Sequence, residues 1–269
     1  MQVLQRLRMI TVGIGIWTAA AAAAPISPDT ADGSMLLRTQ ASCLPNFTAE
    51  AAAGAMVRLS MSASCQAGSK ITIHHNGLMI TEVLDAAGNL QVNFPALAEI
   101  ALFMAELEDG TVSVATTEVA SLGFYDRIAL QWQGNTGLAL HAFEFGAEFG
   151  GDQHIWREAP KTMDRAALGE GGFLTQLGNP GYPDGQRAEI YTFPSATVSR
   201  SGNVDVRVET EVTEGNCEQE IQAQALQIGP DAELVVRELV MTLPTCDIIG
   251  DFIFIPDLVQ PLKIGNSGN

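Results

Sequence analysis

Apolar and polar residues alternate along many short segments of this chain, and this pattern constrains its fold most strongly. In one segment, every second position is occupied by Val204, Val206, Val208, Thr210 and Val212. Successive side chains of a β-strand point to opposite faces, so this spacing predicts a strand with one buried face. Similar segments recur along the chain between turns rich in Gly, Asn and Asp. This arrangement is typical of β-sandwiches, and we expect an all-β fold.

The region 43–118 has the pattern of a small sandwich. Alternation favours strands at 57–61, 71–74, 78–83, 90–94 and 111–115, and Asn76-Gly77 supplies a hairpin turn. The segment 96–107, rich in Ala and Leu, suits either a strand or a short helix. We interpret 43–118 as an immunoglobulin-like domain, although it lacks the Cys…Trp…Cys pattern of true immunoglobulin domains.

The region 124–265 predicts a second and larger β-domain. Strands are expected at 128–132, 138–145, 189–193, 204–212, 221–228, 234–243 and 251–255. The segment 146–187 is instead rich in Gly and Pro, with one helical turn expected at 164–168. We interpret 146–187 as a long loop insertion, and such loops on a rigid sandwich commonly carry binding residues.

The N-terminal residues have the pattern of an export signal. Arg6 and Arg8 precede an uncharged apolar run, 9–24, which ends in alanines and is followed by Pro25. This order is that of a secretory signal peptide, and we expect residues 1–23 to be removed by cleavage after Ala23. An uncleaved N-terminal anchor is the alternative. Residues 24–42 lack periodicity and are interpreted as a flexible lead-in to the first domain.

The four cysteines, Cys43, Cys65, Cys217 and Cys246, lie beyond the predicted signal. An even number in an exported chain indicates disulfides, with three possible connectivities. We favour the local pairs Cys43–Cys65 and Cys217–Cys246, since each lies within one predicted domain. A metal site is the alternative, but the chain has no CxxC spacing.

Charge excludes one class of function. The chain has 14 Lys and Arg against 31 Asp and Glu, a formal net charge of -17. A protein that binds nucleic acid needs a basic patch for the phosphates, so we expect no such partner. The last long apolar stretch, 248–262, is interrupted by Asp and Pro, so no membrane span is expected once the signal is removed.

Two histidines of the second domain are candidates for chemistry. His141 lies in the strand 138–145, where Phe143 and Phe145 are expected on its face and Glu144 on the other. Asp152 and His154 follow after a Gly-rich turn. Two histidines and a carboxylate can bind zinc, so a metal-assisted hydrolase that uses His141, Asp152 and His154 is one hypothesis.

Carboxylates of the same region suggest two further possibilities. Calcium prefers oxygen ligands and could be bound by Glu144, Glu148, Asp152 and Asp184, although no EF-hand spacing is present. The same carboxylates could form a glycosidase pair. The predicted mature chain has no G-x-S-x-G elbow, P-loop or dinucleotide fingerprint. We therefore expect no cofactor, with calcium or zinc as the alternatives.

The exposed side chains of the long loop favour binding over catalysis. Trp156 lies in the loop next to His154, and an exposed indole can anchor a partner or stack on a sugar. Trp156 could equally be a lid over the sandwich. The predicted binding surface is formed by His141, Asp152, His154, Trp156, Tyr182 and Asp184.

Several blocks of sequence resemble a known family. They begin at Tyr125 (YDRIALQWQG), His141 (HAFEFGA), Glu170 (EGGFLT), Ala188 (AEIYTFP) and Cys246 (CDIIGDF). The mature chain resembles an uncharacterised family of exported bacterial proteins that are sometimes labelled "translocase". That label would imply transport across a membrane, but the resemblance brings no catalytic residues with it.

These features favour a non-catalytic binding or scaffolding protein of the bacterial cell envelope, periplasmic or secreted, with a protein or other envelope component as its partner. The competing hypotheses are the secreted hydrolase described above and a structural envelope component.

Overall fold

The computed structural model describes residues 44–228 and 233–264, and these form an all-β fold. The predicted signal peptide, the lead-in and Cys43 lie outside the described residues. The described residues form four antiparallel sheets, two of them before residue 120 and two after it. No helix within the described ranges is long and apolar enough to cross a bilayer.

From residue 44 to residue 118 the chain forms seven strands in sheets of three and four. The strands are β1 Asn46–Ala52, β2 Met56–Ser62, β3 Lys70–His75, β4 Leu78–Val83, β5 Asn89–Pro95, β6 Ile100–Leu107 and β7 Val112–Glu118. One sheet has the order β1-β2-β5 and the other β4-β3-β6-β7. This is the three-plus-four arrangement of an immunoglobulin-like sandwich, and it confirms the predicted fold class.

The ambiguous segment 96–107 forms a strand over most of its length. In β6 the residues Ala101, Phe103, Ala105 and Leu107 are buried, while the positions between them are exposed. Pairing with β3 on one side and β7 on the other satisfies its backbone groups. Long-range pairing therefore outweighs the helical propensity of its Ala and Leu residues.

The second half, within the ranges 124–228 and 233–264, forms ten strands in two five-stranded sheets. The strands are β8 Asp126–Gln133, β9 Leu138–Glu144, β10 His154–Ile155, β11 Phe173–Leu177, β12 Gln186–Phe193, β13 Gly202–Glu211, β14 Glu220–Ile228, β15 Leu234–Thr242, β16 Phe252–Ile255 and β17 Leu262–Ile264. Sheet C has the order β11-β12-β8-β14-β15. Sheet D has the order β10-β9-β13-β16, and β17 also pairs with β13.

The predicted insertion 146–187 contains two short strands, β10 and β11, that the sequence did not indicate. The helical turn expected at 164–168 is present as the helix α1, Met163–Ala167. Strand β11 pairs with β12 at one edge of sheet C. The division of the chain into two domains at 118–124 stays a prediction, because the two halves share one hydrophobic cluster.

That shared cluster includes one face of sheet C. Ala129, Ala188, Ile190 and Leu226 of sheet C pack with the apolar residues of the first sandwich. The other face of sheet C packs against sheet D and forms a second cluster. Sheet C is therefore the central layer of the described fold, which leaves the outer face of sheet D open to solvent.

A buried arginine connects the two halves. Arg127 of β8 is fully buried and donates hydrogen bonds to the backbone oxygens of Gly54, Ala55 and Ala96 and to Oγ1 of Thr192. No carboxylate of the described residues forms an ion pair with it. Burial lowers the pKa of Arg127 to about 9, so its charge is retained at neutral pH and solvated by carbonyl dipoles.

One predicted disulfide is confirmed. Cys217 and Cys246 are bonded, with their Cα atoms 5.2 Å apart, and they lie beyond the open ends of the β14–β15 hairpin. Cys65 is also disulfide-bonded. Its expected partner, Cys43, lies outside the described residues, so that pairing stays a prediction.

Candidate functional site

A cluster of stacked rings covers part of the outer face of sheet D. Its members are His141, Phe143, Phe149, His154 and Trp156, and we call this set the ring cluster. The rings of Phe143 and His154 are nearly parallel, with centroids 4.4 Å apart. The rings of His154 and Trp156 are 5.4 Å apart and also nearly parallel.

Strand register explains how the cluster forms. His141 and Phe143 are two residues apart on β9, so they share a face, as predicted. Strand β10 pairs with β9 and places His154 opposite Phe143. Trp156 follows β10 directly, and its ring centroid lies 5.2 Å from that of His141.

Phe145 does not belong to this cluster, contrary to the prediction from alternation. Phe145 has a φ of 54°, so the extended backbone of β9 ends before it. Its ring packs against the interior cluster, with its centroid 6.2 Å from that of the buried Phe193. The next residues form the loop 145–153, which brings Phe149 over His141 and His154. Phe149 remains 65% exposed, so the loop presents this ring to solvent.

The two histidines are hydrogen-bonded to each other. Nδ1 of His141 and Nε2 of His154 lie 2.9 Å apart, and the backbone N–H of Gly150 donates to Nδ1 of His154 at 3.0 Å. Burial, together with the charges of His154, Arg157 and Arg207, lowers the pKa of His141 to about 4. Burial and then Arg207 also lower the pKa of His154. Both imidazoles are therefore neutral at pH 7.

An ion pair between Arg157 and Glu189 fixes the backbone next to Trp156. Arg157 donates through Nε to Oε1 of Glu189 at 3.0 Å and also hydrogen-bonds the backbone oxygen of Leu138. The other oxygen of Glu189 accepts from the N–H of Leu140 at 2.7 Å. Burial raises the pKa of Glu189, and Arg157 opposes that rise. Arg157, which follows Trp156, thus contacts Glu189 of sheet C and Leu138 of sheet D.

The outer face of sheet D extends beyond the rings. Arg207 of β13 lies opposite His141, and its guanidinium carbon is 4.7 Å from the Phe143 centroid. Arg207 also donates to Oδ2 of Asp205. Next to β13, strand β16 turns Phe252 and Phe254 to the same face, where they are 64% and 55% exposed. This face therefore exposes aromatic surface on both sides of a charged strand.

The proposed zinc ligands do not assemble into a site. His141 and His154 are in contact, but Asp152 is exposed on the loop between them. No group of three or more His, Cys, Asp or Glu side chains within 44–228 and 233–264 could hold a metal ion. The arrangement of these three residues thus gives no support to a metal-assisted hydrolase.

Glu144, proposed as a calcium ligand, is an interior residue. Its Oε1 accepts from the Tyr191 hydroxyl at 2.8 Å and from the N–H of Gly172 at 2.6 Å, and its Oε2 accepts from Arg165 at 2.7 Å. Burial, followed by Glu144, raises the pKa of Tyr191 well above its usual value. A Cβ on Gly171 would lie 2.3 Å from Glu144, so the Gly-Gly pair permits this close approach. Glu144 therefore links α1 and the segment 171–172 to the sandwich.

Tyr182 and Asp184 lie elsewhere, in the loop between β11 and β12. That loop contacts the first sandwich: Asn179 donates its N–H to the Thr81 oxygen at 2.8 Å, and Lys70 lies over the Tyr182 ring at 5.6 Å. The backbone oxygen of Asp184 accepts from Gln133 at 3.2 Å. The predicted binding surface is thus divided between the ring cluster and this loop.

Sequence reasoning missed Phe149 and Arg207. A phenylalanine followed by Gly150 and Gly151 in a polar loop is a signal for an exposed ring. Arg207 gives no such signal, because its position opposite His141 depends on the pairing of β9 with β13.

Comparison with known proteins adds no relative. No protein-family model matches the sequence, and no curated protein is significantly similar to it.

Proposed function

We propose that this chain is an exported, non-catalytic binding protein of the bacterial cell envelope. Its binding surface is the outer face of sheet D, with the ring cluster at one side and Phe252 and Phe254 at the other. The partner is another envelope protein. The observation that carries the proposal is the exposure of Phe149 above four rings that are already packed against one another.

The composition of this face supports a protein partner. Binding energy at protein interfaces is concentrated in aromatic and Arg side chains, and this face presents Phe149, Trp156, Arg207 and Phe254 together. Phe149, Phe252 and Phe254 are each more than half exposed, and exposed apolar surface rimmed by polar residues marks interaction sites. Asp205, Glu209 and Glu211 lie along β13 between the rings, so the part of the partner that faces β13 should carry basic residues, with apolar residues on either side.

Export is supported by the disulfides and by the signal-like N-terminus. Cys217 and Cys246 are bonded, and such bonds persist in oxidising compartments. N-terminal sequencing of the protein recovered from the periplasm or the medium should begin at Ala24. An intact N-terminus on protein that stays in the cytoplasm would contradict the proposal.

Site-specific photo-crosslinking in the bacterium tests the surface itself. A benzophenone side chain replaces Phe149, Phe254 or, as control, Leu168, which is 72% exposed and lies after α1. We expect one adduct of the same mass from positions 149 and 254 and none from 168. The adduct from position 254 should decrease in a Phe149→Ser background, because both contacts belong to one interface. Equal adducts from all three positions, or none from 149 and 254, would exclude this face as the binding surface.

A further inference from the structure

The face of sheet C that meets the first sandwich is apolar at one end and covered with amides at the other. Its apolar end includes Ala129, Ile190 and Leu226, which the first sandwich buries. Farther along the same strands the first sandwich contacts this face at Gln131, which is buried, and leaves Gln133 and Gln222 exposed. The side chains that share this partly uncovered end of the face are Gln131 and Gln133 of β8, Gln186 of β12, Gln222 and Gln224 of β14 and Glu238 of β15.

Hydrogen bonds fix the orientation of the innermost amides. Oε1 of Gln131 accepts from the N–H of Met79 at 2.8 Å, while its Nε2 donates to the Gly77 oxygen and to Oε1 of Gln224. The Nε2 of Gln224 is then directed at Glu238, 3.3 Å away. The hydrogen bonds therefore run in one direction across the sheet, from Gln131 to Gln224 and from Gln224 to Glu238.

The outer amides retain hydrogen-bonding capacity. Gln133 donates to the Asp184 oxygen and Gln222 to Glu220, but within the described part of the chain the Oε1 of each accepts no hydrogen bond. The side chain of Gln186, among the same residues, makes none. Gln133 and Gln222 are exposed, so these groups are available to a ligand.

The partly uncovered end of this face is concave. One depression of about 240 Å³ is lined by the glutamines together with Met79, Glu238 and Val240. A second depression of about 530 Å³ shares Gln133 and Gln222 with the first and adds Asn135, Gln219 and Asp184. Gln133 and Gln222 line both depressions, and we call the two depressions together the amide groove.

We propose that the amide groove binds a neutral oligosaccharide. Gln133 and Gln222 each keep one N–H donor and an acceptor oxygen, and adjacent sugar hydroxyls likewise both donate and accept hydrogen bonds. Asp184, Glu220 and Glu238 add acceptors, and neither depression is lined by Lys or Arg. An anionic glycan would therefore be repelled by these carboxylates and would find no cation in the lining, on a chain of net charge -17. The shared lining of the two depressions favours an extended ligand over a single sugar.

Side-chain amide NMR tests the proposal on the mature full-length protein. The probes are cellohexaose, maltohexaose and mannohexaose, each added to about 10 mM, which detects dissociation constants in the millimolar range. We expect at least one probe to shift the side-chain NH2 resonances of Gln133, Gln222 and Gln224. The double variant Gln133→Ala/Gln222→Ala should raise the dissociation constant of that probe about tenfold or more.

Gln176→Ala is the matched control. Gln176 is an exposed glutamine of the same sheet with one hydrogen bond to a backbone oxygen, but it lies on the opposite edge strand, β11. Binding should be unchanged in this variant, and the thermal unfolding of both variants should match that of the wild type. The proposal is overturned if no probe shifts these amides or if binding survives in the double variant. Tighter binding of a hexauronate or of a neutral hexapeptide than of every neutral hexasaccharide would also overturn it. Because the groove and sheet D are different surfaces, such a result would leave the proposed protein interface untouched.

Discussion

Nε2 of His154 donates a hydrogen bond to Nδ1 of His141, and a backbone group sets its direction. The N–H of Gly150 can only donate, so Nδ1 of His154 must accept and the proton of that neutral ring must be on Nε2. His141 then carries its own proton on Nε2. The loop that presents Phe149 is thus held through two imidazole nitrogens, each of which must be unprotonated.

Acid should release this loop. Because the folded pKa values of His141 and His154 are lowered from 6.5, the unfolded or opened state binds protons first as the pH falls. The stabilisation is complete above about pH 6.5 and is lost as the pH decreases to about 4. An NMR titration should show both imidazoles titrating below 6.5 and the protection of the Gly150 amide decreasing over that range.

Two substitutions of His141 distinguish the effect of its hydrogen bond to His154 from the effect of its protonation. His141→Asn places an acceptor oxygen near the position of Nδ1 and does not titrate, so it should keep more Gly150 protection than His141→Ala. Titration of both histidines near 6.5 in the wild type would contradict the expected coupling.

His75 should make the first sandwich sensitive to acid. Its Nε2 accepts from the Leu97 N–H at 2.8 Å and its Nδ1 donates to the Leu102 oxygen at 2.9 Å, and its ring stacks on Phe103. Burial lowers its pKa to about 4, with the Arg127 charge acting in the same direction. Between about pH 6.5 and 4 this difference should remove roughly 3 kcal/mol of the free energy of unfolding.

Urea unfolding at several pH values measures the effect of His75. His75→Phe should cost about 2–4 kcal/mol at pH 7, because it leaves the Leu97 N–H and the Leu102 oxygen without partners, and it should flatten the acid dependence. His74→Phe, on the adjacent and partly exposed residue, is the control and should retain that dependence. An unchanged pH profile in His75→Phe would assign the acid sensitivity to other groups.

Arg127 should be essential for the contact between the two halves. Arg127→Met removes the donors that satisfy the oxygens of Gly54, Ala55 and Ala96, so we expect a loss of about 3–5 kcal/mol in the free energy of unfolding. Chemical denaturation measures the loss. Arg58→Met, at an exposed position of β2, should cost less than about 1 kcal/mol. Similar costs for the two variants would show that the buried guanidinium contributes little.

The Cys217–Cys246 bond should stabilise the protein by constraining the unfolded chain. For a separation of 29 residues the chain-entropy estimate is about 3–4 kcal/mol, which the Cys217→Ser/Cys246→Ser variant should lose. Thermal unfolding of this variant against the oxidised wild type measures the loss. Peptide mapping without reduction should recover Cys217 linked to Cys246 and Cys65 linked to Cys43. A Cys65–Cys217 peptide would contradict the local pairing.

The sequence predicted the strands better than the segments between them. Alternation located most strands of both sandwiches, since the two-residue period of a strand is a local property. It failed at β11, where Phe173 and Leu174 are adjacent and both buried. Phe173 and Leu174 pack on opposite faces of sheet C, and both faces are covered there. Apolar and polar residues therefore do not alternate along β11.

The candidate site was predicted only in part. His141, His154 and Trp156 came together as expected because they lie close in sequence on two paired strands. Tyr182 and Asp184 did not join them, because their loop is held against Thr81 of the first sandwich. No local pattern encodes such a long-range hydrogen bond.

Local sequence was enough to predict which residues face inward along most strands, the position of the Asn76-Gly77 turn and the pairing of Cys217 with Cys246. These properties follow from backbone geometry and from the chemistry of neighbouring residues. The contact of Arg207 with the ring cluster, the solvation of Arg127 by carbonyls of the other half and the lining of one depression by five glutamines from three strands depend on long-range packing. The order and register of strands distant in sequence decide these contacts, and they are selected by burial of the whole apolar surface.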